Sequence, residues 1–195
     1  MPGFKDFMKK AKELAEKGVS MVKEAMTFEQ LMKDFDEVVA NTLSTILAEH
    51  GYRGMGQEEV GDYYVVKFAI DDFEKVKHIV DRDIRRRYSP KDREKILDVY
   101  PDYLEFRINY TRKHAAASSF LTPVSVEDVK VSSRLFYFVE RKGGFLSKVK
   151  KDRHDVNLGG FSFKSSDFVK YDVKEIDYDK LKEYLESKLK TFGII

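Results

Sequence analysis

The chain has 195 residues, 42% hydrophobic and 13% aromatic, with 36 Lys and Arg against 34 Asp and Glu for a net charge of +2. This apolar content suits one globular domain rather than a disordered chain, and the near-balanced charge offers no bulk case for a polyanion partner. Cysteine is absent, which excludes disulfides, thiol nucleophiles and cysteine-based zinc or iron–sulfur centres.

The charged fraction of 36%, rich in Lys and Glu and without Cys, follows the pattern of thermophilic proteins. No apolar run approaches the roughly 18 residues of a spanning helix, and the lysine-studded start lacks the apolar block of a signal peptide. A cytoplasmic location is expected.

In chain order, Phe4, Phe7, Met8, Ala11, Leu14, Ala15, Val22 and Met26 recur at helical spacing and predict an amphipathic helix over 1–26. Thr27 and Gln30 match a capping box that opens a second helix, buried along Phe28, Leu31, Phe35, Val39, Leu43 and Leu47 and stopped at Gly51. Residues 51–61 hold four glycines and read as a loop. Tyr64, Val66, Phe68 and Ile70 then alternate as a strand.

Asp71 and Glu74 match another capping box, opening a helix with Val76, Ile79, Val80 and Ile84 on its apolar side. Ser89-Pro90 starts a shorter helix, for which Pro101 reads as the terminator. Leu104, Phe106, Ile108 and Tyr110 mark a half-buried strand, and 114–122 a helical or loop connection. Four strands are predicted at 129–141, 145–151, 155–163 and 167–174, with turns at Gly143-Gly144, at 152–154 and at Ser165-Ser166. A last helix carries Leu181, Leu185, Leu189 and Phe192 and ends at Gly193.

The expectation is one α+β domain over 1–195. An antiparallel sheet of about five to six strands carries two N-terminal helices, two central helices and a C-terminal helix, with 1–26 able to protrude as an arm.

The Gly143-Gly144 hairpin is the most informative feature for function. A two-residue turn there sets Arg141 opposite Leu146, Val139 opposite Lys148 and Tyr137 opposite Lys150. Phe136, Phe138, Phe145 and Val149 then read as the core face. Arg141, Lys148 and Lys150 surround Tyr137 on a polar face, with Arg153 and His154 at the next turn. Cations around an aromatic suit phosphates and stacked bases, although lysine stems also serve simply to shield an open sheet.

Arg85, Arg86 and Arg87 form a second basic cluster, which also complements the C-terminal end of the helix dipole. Residues 75–95 hold nine Lys and Arg against four acids, enough to attract phosphates or an acidic protein partner. Whether the two clusters share one surface decides their meaning.

Catalytic motifs are unsupported. His50, His78, His114 and His154 lack metal-ligand spacing, and no cofactor is implied. Pro101-Asp102 with Glu105-Phe106-Arg107 has only a superficial likeness to the metal-binding acids of nucleases, since both acids lie on one strand. Gly160-Phe161-Ser162-Phe163 lacks the basic residue of an RNA-recognition strand, and its likeness to one is coincidental.

Three readings result. The first is a non-catalytic binding protein engaging an anionic partner such as nucleic acid through a basic sheet face. The second is an assembly protein that forms homo-oligomers through its N-terminal helices; for helix 1–26, packing on the body or pairing with a second chain is preferred over contact with an anionic membrane because four acids offset its lysines. The third is a small-ligand binder or enzyme with a pocket between sheet and helices.

Overall fold

A computed structural model describes residues 28–111, 128–143 and 148–195. The expected 1–26 helix, the Thr27 cap and the 114–122 connection lie outside these. The fold is α+β, a five-stranded antiparallel meander whose core-forming described helices pack on one face, with a two-stranded sheet beside it. Among the described residues no helix is long and apolar enough to cross a membrane.

The chain enters through α1 (Phe28–Lys33) and, after a break at Asp34, α2 (Phe35–Glu49). Asp34 accepts a hydrogen bond from the Gln30 amide one turn back. Gly51 ends α2 as expected: at φ +79° it lets the Tyr52 amide turn back to the Leu47 carbonyl at 2.9 Å.

Residues 53–60 are not a loop but a strand, β1 (Arg53–Val60), which pairs with β2 (Tyr63–Ala69) across a two-residue turn at Gly61-Asp62. Gly54, Gly56 and two glutamates make its β-propensity poor, and pairing along β2 overrides it.

Helix α3 (Glu74–Arg87) follows. Its first turn is capped by Asp72, whose carboxylate accepts from the Glu74 amide, while Asp71 pairs with Arg53 at 3.0 Å. Ser89 caps α4 (Pro90–Arg93) through the Asp92 amide, as its sequence indicates. That helix lasts one turn. Pro101 does not terminate it; the proline lies inside β3 (Ile96–Tyr110), at a bulge between Pro101 and Tyr103 where a missing N–H is tolerated.

Strand β4 (Val129–Lys142) matches expectation, but the two strands expected after it are one, β5 (Val149–Phe163). Asp152, Arg153 and His154 form no turn and pair with Val139, Phe138 and Tyr137. The strand expected at 167–174 is instead a 3₁₀ turn (Ser165–Phe168) and a small hairpin of β6 (Val169–Lys170) with β7 (Glu175–Ile176). Helix α5 (Tyr178–Phe192) closes the fold, capped by Asp177 and ended by Gly193 at φ +73°.

One core lies between the sheet and the helices. Leu43, Ile46 and Leu47 of α2 and Leu181, Leu185 and Leu189 of α5 are fully buried against Phe68, Phe106, Ile108 and Leu135. Phe161 and Phe163 pack beneath Tyr184 of α5, so the Gly160–Phe163 segment faces inward. Strand β1 pairs with β2, and β2 pairs only with the Tyr103–Ile108 half of β3. The other half of the sheet is the three strands β3 to β5 alone, with the end of α3 across its inner side.

Candidate functional site

The face of β4 that turns toward the helices carries Val129, Val131, Leu135 and Val139, all buried, and Tyr137 is in that set at 0% exposure. This inverts the expected arrangement. Tyr137 lies in the core, while Phe136 and Phe138 stand half-buried on the opposite face. Val149, also expected inside, is 55% exposed, and Phe145 lies outside the described residues.

The register differs too. Arg141 pairs with Lys150, Val139 with Asp152 and Tyr137 with His154, four residues on from a two-residue turn at the glycines. A shift of an even number keeps each residue on its face, so Tyr137, Arg141, Lys150 and His154 do share one side. That side is the one the helices cover.

A tyrosine enters this core because α3 brings it an acceptor. Asp83, 3% exposed, takes the Tyr137 hydroxyl at 2.8 Å, Arg86 at 2.7 Å and Arg87 at 2.6 Å. Burial alone would push the Asp83 carboxyl up, but the hydrogen bonds from Arg87, Tyr137 and Arg86 together hold it below the usual carboxylate range. Burial and then Asp83 push the Tyr137 phenol up, so it remains a neutral donor.

Arg87 also donates to the Asp155 carbonyl at 2.7 Å. Beside it the Tyr88 hydroxyl lies 2.5 Å from His154 Nε2, and the His154 ring packs 5.4 Å from that of Tyr137. Burial, followed by the charge of Arg87, lowers the His154 pKa below its ordinary value. Arg141 stacks over the Tyr88 ring at 4.9 Å and is paired with Asp152, which Lys150 also approaches at 3.5 Å.

Arg86, Arg87, Tyr137, Arg141 and Lys150 are therefore brought together, in a network that ties α3 to the sheet. Two buried or half-buried aspartates, Asp83 and Asp152, each take two of its four cations. Arg85, about 200° round the helix from Asp83, is exposed away from it, and Lys148 is exposed where β5 begins. Arg153 is on the other face.

On that other face Val65 and Glu105 are each 3% exposed, and Tyr100, Tyr103, Phe136 and Phe138 are half-buried. Across its centre run two aromatic pairs. Tyr103 of β3 packs on Phe136 of β4 with ring centroids 4.6 Å apart, and Tyr100 packs on Phe138 at 5.5 Å. Cations from β5 lie over both. The Arg153 guanidinium is 4.7 Å from the Phe136 ring and 5.3 Å from Tyr103, held by Asp102 at 2.8 Å. Lys151 is 4.2 Å from Phe138 and 4.9 Å from Tyr100.

Further along, Lys67 pairs with Glu58 at 2.6 Å, Arg107 with the buried Glu105 at 2.7 Å, and Arg134 with Asp155 at 3.6 Å. Asp102 and Glu105, the two acids with a nuclease-like spacing, are each occupied by an arginine. No group of three His, Asp or Glu is placed to hold a metal among the described residues.

Sequence reasoning misses Tyr100 because Pro101 reads as a helix terminator, which leaves it outside the expected strand, and misses Tyr103 because it stands at the very start of that strand. Phe136 and Phe138 read as core on hydrophobicity alone. No protein-family model matches the chain, and neither a curated protein nor a solved structure is significantly similar to it.

Proposed function

We propose that this chain is a non-catalytic binding protein that engages an anionic macromolecule of the nucleic-acid type through the face of its sheet opposite the core-forming helices. The observation that carries the reading is the pair of aromatic stacks on β3 and β4 with Arg153 and Lys151 laid over them. Large half-buried rings beside cations are the composition expected where π-faces and phosphates are held.

The acids on this face do not oppose the reading strongly. Exposed ion pairs such as Lys67–Glu58 and Arg134–Asp155 are worth at most about 1 kcal/mol, so a phosphate can replace the carboxylate at little cost. The network around Asp83 is read as structural, because its cations are already satisfied by buried or half-buried carboxylates.

The test is binding of fluorescein-labelled nucleic acid to the full chain by anisotropy at about 50 mM salt, where phosphate contacts are strongest. Affinity should fall linearly on a log–log plot against salt and weaken when Lys151 and Arg153 are changed to Ala. Undetectable binding of both DNA and RNA at that salt would rule the reading out.

A further inference from the structure

Resting on that reading, we infer that the ligand of this face is a single strand, with unpaired bases stacked on the Tyr103–Phe136–Arg153 and Tyr100–Phe138–Lys151 groups. Phe136 and Phe138 are two residues apart on one strand, which spaces the two groups by roughly 7 Å along β4. They therefore offer two side-by-side positions for successive bases. Stacking on an aromatic ring, or on the outer face of a guanidinium that itself lies on a ring, needs a base with a free π-face. A duplex keeps the π-faces of its bases within the stack and offers only their edges in its grooves, so rings such as these gain stacking from unpaired bases.

The acids point the same way. Asp102 holds Arg153, and Glu140 accepts the Tyr100 hydroxyl at 3.0 Å, so carboxylates stand beside both stacks. They repel phosphate from the centre of the face. Bases rather than backbone then cover the rings, and the sugar-phosphate chain runs toward Lys67, Arg107 and Arg134 or along β5.

The experiment compares one labelled single strand of about 20 nucleotides, as RNA and as DNA, with its duplex and with heparin, all on the full chain at equal salt. Single strands should bind about tenfold or more tightly than the duplex. Phe138→Ala should weaken single-strand binding by about tenfold, the loss that one stacked base represents, and weaken heparin binding much less. Phe138→Leu keeps the apolar volume without the ring and should show the same loss; it serves if the alanine variant fails to fold.

Equal binding of single strand, duplex and heparin, lowered by Lys151→Ala but not by Phe138→Leu, overturns base stacking while the polyanion reading stands. No binding to any of the probes removes both.

Discussion

Replacing Tyr137 by Phe deletes one hydroxyl and leaves the shape of the core unchanged. The hydroxyl donates at 2.8 Å to a carboxylate that is itself 3% exposed, and Tyr137 is at 0%. A hydrogen bond to a charged group contributes about 1.5–3 kcal/mol, and no cavity adds to it because the ring remains. Asp83 keeps Arg86 and Arg87, so the variant orphans no charge, and the expected loss is about 2 kcal/mol. For a chain of this size that lowers Tm by roughly 4–8 °C. Urea unfolding followed by far-UV circular dichroism should show a lower midpoint with an unchanged slope.

Two companions sharpen the test. Tyr137→Ala also empties the ring's site and should cost at least about 3 kcal/mol, whereas Phe138→Ala, half-buried on the opposite face, should cost less than half as much. A Tyr137→Phe loss under about 0.5 kcal/mol, or a Phe138→Ala loss exceeding that of Tyr137→Ala, would refute the assignment of the two faces.

The His154 pKa is lowered in the folded protein by burial and by Arg87, so the unfolded chain binds the proton more readily. Its contribution to stability is fully present above the ordinary histidine pKa of about 6.5 and is lost as pH falls below that toward the folded value. His154→Gln should flatten the stability profile in that window, and an unchanged profile would disprove the link. Ser133, on the core side of β4, has a buried hydroxyl with no hydrogen-bond partner among the described residues, so Ser133→Ala should stabilise by about 1 kcal/mol; a loss would mean the hydroxyl is bonded. Gly159 has φ +118° and a Cβ there would lie 3.2 Å from the Phe192 ring, so Gly159→Ala should cost about 1–3 kcal/mol in the same unfolding assay. A neutral result would mean that β5 relaxes freely at its bulge, where Ser133 and Arg134 pair with Gly159 and Asn157.

Much of the inversion at Tyr137 could have been read from a longer window. Over the whole of β4, Val129, Val131, Leu135 and Val139 alternate with Lys130, Ser132, Arg134 and Glu140, and that pattern places residue 137 inside and 136 and 138 outside. The turn at the glycines drew attention to five residues in which Phe looks like core and Tyr like surface. The hydrophobicity of a single residue is weak evidence where the full strand has a period.

Other misses had no such remedy. Nothing local marks 53–60 as a strand, because its Gly and Glu content opposes one and only β2 pairs it. Pro101 terminates helices far more often than it occupies a bulge.

What the sequence determined by itself is what local chemistry controls: the α+β class, the stops at Gly51 and Gly193, the Ser89 cap, the apolar stripes of α2, α3 and α5, and the core alternation of β3. Those depend on residues within a turn or a strand of one another. Tertiary structure alone decided how the arginine cluster and the β4–β5 cations meet, because Asp83 and Tyr137 are 54 residues apart and their bond forms only when α3 crosses the sheet. The same crossing covers one face and leaves the other to Tyr100, Tyr103, Phe136 and Phe138, where Arg153 and Lys151 shield the rings that the core did not take.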